Sequence, residues 1–126
     1  MNFLWVALGG ALGAVGRYAV SLWVTPLTSG SFPWATLLVN VAGSLGIGVV
    51  FILLERGVVH GDLRYLVVIG LFGGFTTFST FSLELLHMVE QGHWSLALQY
   101  ALASLISCFV GAGLGVAIAR QSLSSL

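Results

Sequence analysis

Four apolar runs, each at least about the 20 residues that a helix needs to cross a bilayer, fill this chain almost end to end. They lie at about 3–24, 34–54, 64–89 and 95–119, separated by short polar turns. A chain of 126 residues built this way has room for four transmembrane helices and for little else. Only 6% of its residues are charged, against roughly 25% in an ordinary soluble domain, so the fold class is an all-α membrane protein. Residues 1–126 read as a single integral membrane domain. No soluble portion remains to bind nucleotide or to carry an enzyme's usual machinery. Lysine is absent and the formal net charge is zero, which removes any case for nucleic-acid binding or a polybasic membrane patch. The N-terminus lacks the positive flank and small-residue cleavage site of a signal peptide, so its apolar run is read as the first span.

One of the four runs does not behave like the others. Gly73-Gly74-Phe75-Thr76-Thr77-Phe78-Ser79-Thr80-Phe81 puts paired glycines, β-branched threonines and alternating hydroxyls and rings into the middle of the third run. These residues make a poor helix interior. The run is about 26 residues long, more than one straight crossing requires, and an interruption near 73–80 divides it into two half-helices. Opening a helix in lipid frees backbone carbonyls, each costing on the order of several kcal/mol unless protein, water or an ion receives it. The functional centre is expected there.

Polar residues elsewhere carry two readings each. Arg17 lies about two-thirds of the way along the first span, where an arginine costs about 2.5–3.5 kcal/mol on insertion scales. It is either a snorkelling anchor beside Tyr18 or a positive charge at an aqueous vestibule that attracts anions. Asn40 and Ser44 share a face of the second span; Asn40 either bonds to a neighbouring helix or offers its amide to a dehydrated anion. Glu84 is either solvated near the interface or the outer end of a polar stripe leading from the interruption. Tyr100, Ser104 and Cys108 recur every four residues on the fourth span. Gly9 with Gly13, and Gly111 with Gly115, form close-packing faces. His60, His87 and His93 fall near helix ends without metal-ligand spacing. The single cysteine, Cys108, has no partner in the chain and is silent on redox compartment. With four helices, both termini and the turn after the second lie on one side with Arg56, Arg64 and Arg120, a small bias that permits either orientation or a mixture.

Taken together, Gly9-Gly10-Ala11-Leu12-Gly13-Ala14-Val15-Gly16-Arg17-Tyr18, Asn40 with Gly43-Ser44, and 70–81 resemble the CrcB/Fluc family of bacterial fluoride channels. The resemblance covers the whole chain in order, and the third motif is its most specific part. It implies an antiparallel dual-topology homodimer, multi-pass in the bacterial inner membrane, with two fluoride pores flanking the two-fold axis. It implies a structural Na⁺ on that axis, held by the carbonyls of Gly73 and Thr76 from both chains. Phe78 and Phe81 resemble the family's phenylalanine box, Asn40 its pore asparagine and Arg17 its vestibule arginine. Ser79, Thr80, Glu84, Tyr100 and Ser104 fall on or near its polar track, whereas Cys108 stands where a hydroxyl is expected.

Elementary chemistry agrees with that implication. Fluoride is small and strongly hydrated, so a narrow dry pore must supply replacement donors, as hydroxyls, an amide and a phenol do. A phenyl edge is the positive end of the ring quadrupole and tolerates an anion. A small multidrug-type proton-coupled transporter, also a four-helix antiparallel dimer, is the alternative; it needs an acid in the first helix, where this chain has Arg17 instead. A non-transporting packing subunit would suit the glycine faces but leaves the polar cluster around Asn40 and Thr76–Thr80 unexplained.

Overall fold

The computed structural model describes residues 2–126, and they form four helical spans. Helix α1 is Asn2–Val24, followed by one 3₁₀ turn, Thr25–Leu27, with Pro26 at its start. Proline lacks an N–H to lose at a first turn, so it serves there. Helix α2 is Trp34–Glu55. The turn that follows closes through Gly57 and Gly61, both at positive φ, where a side chain would be strained.

The third span is composite. A π-helical stretch, Tyr65–Phe72, runs into a short α-helical turn, α3, Gly73–Phe75. Thr76 and Thr77 then leave helical geometry, with φ/ψ of −81/156° and −150/115°. Helix α4, Phe78–Glu90, resumes the span, and Gly92 turns the chain into α5, Trp94–Ser124. The non-helical residues are therefore two, fewer than the 73–80 anticipated: Gly73–Phe75 still wind as helix and Phe78 onward winds again. α5 likewise runs on to Ser124, past the anticipated end at 119.

Glycine decides which spans touch. α1 lies along the π-helical stretch and α3, and α2 lies along α5. A side chain at Gly9 or Gly13 would run into the carbonyls of Leu66 or Leu71, and one at Gly74 would meet the Gly10 carbonyl at 2.6 Å. On the other pair, Gly48 faces the Ala112 carbonyl and Gly115 faces that of Leu45. Backbones approach this closely only where Cβ is absent, and dispersion between them replaces the hydrophobic effect that lipid withholds. A third junction joins α2, α4 and α5 around Tyr100, which is fully buried among Met88, Ala97, Phe32 and Phe81. This places the Thr76–Thr77 gap between α1 on one side and α2 on the other.

Candidate functional site

Two side chains reach the gap from neighbouring helices. From α2, the Asn40 amide donates to the Thr77 carbonyl at 3.1 Å, and its Oδ1 accepts the Thr77 N–H at 2.8 Å. An asparagine side chain copies the peptide's own donor–acceptor pair, so one residue satisfies both groups that the extended conformation releases. From α1, Arg17 Nε donates to the Gly74 carbonyl at 3.2 Å. Of the two readings of Asn40, the interhelical bond is present, and one of its two amide hydrogens is left over. Arg17 turns toward the third span, and its terminal Nη groups retain their hydrogens.

The rest of the gap is organised by threonines. Thr77 is the N-cap of α4: its Oγ1 accepts the Thr80 N–H at 3.2 Å, which is what a cap hydroxyl does for an orphan donor. The same hydroxyl donates to Thr80 Oγ1 at 3.1 Å and shares a hydrogen bond with Ser79 Oγ at 3.2 Å. Thr76 sends both its N–H and its hydroxyl back to the Phe72 carbonyl, at 3.1 and 2.9 Å. Thr77 was not singled out from the sequence, yet it makes more of these bonds than any residue that was. The signal was present: a Thr directly before a helical run, inside a segment otherwise ill-suited to a helix.

These bonds redirect the helix's own donors. In a continuous helix the Thr77 N–H would serve the Gly73 carbonyl and the Thr80 N–H that of Thr76. Here they serve Asn40 and the Thr77 hydroxyl. The carbonyls of Gly73 and Thr76 thus lose their helical partners, whereas those of Gly74 and Thr77 gain side-chain donors from Arg17 and Asn40. Hard carbonyl oxygens, with Gly73 exposed and carrying nothing within 4 Å of its missing Cβ, suit a small hard cation.

A cavity of about 650 Å³ opens beside the gap. Asn40, Ser44, Gly73, Thr76, Thr77, Phe78, Phe81, Ser104 and Cys108 line it, so the structure brings together residues from α2, the third span and α5. Ser104 is buried and its hydroxyl has no protein partner. Phe78 and Phe81 stand 5.5 Å apart at 44°, Phe78 largely exposed, Phe81 packed at 5.0 Å on Tyr100. Behind Phe81 sits a second polar group: Tyr100 donates its hydroxyl to Glu84 Oε1 at 3.3 Å, with buried Thr36 beside both. The predicted residues therefore fall into two clusters separated by a phenyl ring. Arg17, Ser79, Thr80, Glu84 and Tyr100 do not line the cavity. Thr36 was missed; as a lone threonine near a helix start it carries no distinguishing pattern.

Four spans, the third interrupted by two extended residues against a donor-bearing cavity, define a multi-pass membrane protein with a site at its interruption. Residues 4–116 match the family described as "CrcB-like protein, Camphor Resistance (CrcB)", and the chain belongs to that family. A relative from Magnetococcus marinus called "Fluoride-specific ion channel FluC" is 48% identical over 121 residues, covering 95% of this chain and 98% of its own. Relatives of the same name from Coxiella burnetii and Hahella chejuensis are 45% and 41% identical, each covering at least 96% of both chains. The family's name-bearing members are ion channels, not enzymes.

Proposed function

We propose that this chain forms a passive, fluoride-selective channel in a bacterial inner membrane that lets accumulated fluoride leave the cell. The observation that carries the reading is the cavity beside the two extended residues of the third span, an apolar setting furnished with hydrogen-bond donors. The names of its full-length relatives support the choice of ion. A spare Asn40 amide hydrogen and the unpartnered Ser104 hydroxyl are donors at the cavity that can replace fluoride's hydration, and Thr80 adds a hydroxyl proton outside its lining. The edges of Phe78 and Phe81 complete the pore wall. Ser79, Glu84 and Tyr100 continue the polar track, Tyr100 and Glu84 as one hydrogen-bonded pair. Arg17 supplies a positive vestibule through its Nη groups.

The functional unit is an antiparallel, dual-topology homodimer with two pores. Gly73 is compatible with this: it is exposed and a Cβ there would meet nothing within its own chain, which leaves its backbone open to a second copy. Two copies of Gly73 and Thr76 would offer four carbonyl oxygens to a Na⁺ on the axis. The ion would supply a fixed positive field between the pores and a partner for carbonyls that lipid cannot satisfy. No carboxylate stands in α1 to exchange protons for a cation, which disfavours a proton-coupled multidrug exporter.

Purified protein in fluoride-loaded liposomes tests the reading. Fluoride efflux is expected on adding a K⁺ ionophore alone, with chloride retained. Efflux that waits for a proton gradient or ATP, or that carries chloride equally well, overturns it.

A further inference from the structure

The bonds at the interruption assign Asn40 and Thr77 a task separate from touching the permeating ion. Each holds a backbone N–H that would otherwise close onto one of two particular carbonyls. Asn40 Oδ1 takes the Thr77 N–H at 2.8 Å, leaving the Gly73 carbonyl without its helical donor. Thr77 Oγ1 takes the Thr80 N–H at 3.2 Å, leaving the Thr76 carbonyl without its own. The two neighbouring carbonyls, of Gly74 and Thr77, are meanwhile covered by Arg17 and Asn40. Among residues 73–77, side chains thus cover the Gly74 and Thr77 carbonyls and leave those of Gly73, Phe75 and Thr76 without a side-chain donor.

We infer that Asn40 and Thr77 are positioning residues for a backbone cation site, keeping the Gly73 and Thr76 carbonyls open by diverting their helical donors. The inference rests on the Na⁺ reading above and goes beyond it, since neither residue touches the ion. It also separates two functions of Asn40. Its acceptor oxygen holds the carbonyl open, while its NH₂ faces Thr77 and the cavity. A carboxylate retains the first function and loses the second. If the diverting acceptor is removed, the freed N–H is available to rewind onto the carbonyl, and the cation must compete with a helical hydrogen bond.

The experiment measures thermal dissociation of the purified full-length dimer across a Na⁺ titration, with N-methylglucamine replacing Na⁺. Binding to the folded dimer raises the dissociation temperature, and the titration midpoint reports affinity. Asn40→Leu and Thr77→Val are expected to move that midpoint to higher Na⁺ by about tenfold or more. Asn40→Asp and Thr77→Ser should keep the wild-type midpoint, even though Asn40→Asp stops fluoride efflux. A purely structural role would lower the dissociation temperature equally at every Na⁺ concentration and leave the midpoint in place, which overturns the inference. Should Asn40→Leu and Thr77→Val fail to assemble, Thr77→Ala against Asn40→Asp gives the same contrast with milder changes. A midpoint shift in Thr77→Ala alone supports the inference, and equal midpoints overturn it. A wild-type dimer indifferent to Na⁺ overturns the cation reading together with this inference. A Na⁺-responsive wild type with unmoved variants overturns this inference alone.

Discussion

Tyr100 is fully enclosed, and its hydroxyl is the one donor that the structure gives the Glu84 carboxylate from α5. Tyr100→Phe keeps the ring packing against Phe81 and Phe32 and removes only that donor. Leaving a half-buried carboxylate short of a partner costs about 1–3 kcal/mol, so the variant should dissociate at lower temperature and conduct more slowly. Adding Glu84→Gln to it should cost less than the sum of the single changes, a coupling that a double-mutant cycle measures; strict additivity would separate the two residues. At this scale the sequence was legible wherever a residue was out of place for lipid. Arg17, Asn40 and Glu84 drew attention because polar groups in a bilayer require partners. Which partner each would find was not legible. Arg17 meets Gly74 across 57 positions and Asn40 meets Thr77 across 37, distances that only the packing of whole helices sets.

The elements themselves follow from length and hydropathy, which is why the four spans could be placed to within a few residues. The extent of the interruption was harder. Glycines and β-branched residues disfavour a helix by about 1 kcal/mol or less apiece, yet Gly73 and Gly74 remain helical, Gly74 packed backbone to backbone on Gly10 of α1. Chain ends in polar residues were misleading too: Arg120 looked like a terminus, but α5 carries on through Gln121 to Ser124. Glycine roles divide cleanly by what a Cβ would meet. Gly13→Leu would drive a side chain into the Leu71 carbonyl and the Phe75 amide, so a monodisperse folded species should be lost in size-exclusion chromatography. Gly10→Ala meets nothing within 4 Å and should elute as wild type. Equal behaviour of the two would remove the close-packed face from the account.

For the molecule as a whole, the decisive surface is the one bearing Gly73. Under the proposed dimer, Gly73→Leu should leave the monomer's helices intact by circular dichroism while shifting crosslinked dimer to monomer, since a Cβ there meets nothing within its own chain. A dimer that survives the substitution removes the axis from that surface. Orientation is a separate question. Arg17 is bonded inside the protein, so the exposed arginines are Arg56, Arg64 and Arg120, at helix ends toward the side that carries both termini. So few charges impose a small bias. A cysteine introduced at exposed Val58 in a Cys108→Ser background should be labelled by an impermeant reagent from both faces of the membrane in about equal shares, as dual topology requires. Labelling from one face alone would leave no antiparallel pair to form.

The bonds that hold the interruption also carry a timetable. Arg17 and Asn40 sit in α1 and α2, both upstream of the groups they satisfy. Ribosomes deliver a chain from its N-terminus, so these two side chains are already in the bilayer when Gly74 and Thr77 arrive. The segment least able to endure hydrocarbon alone is thus born next to its partners. The Tyr100–Glu84 contact, by contrast, waits for α5, which makes the far end of the polar track the last part of the molecule to be finished.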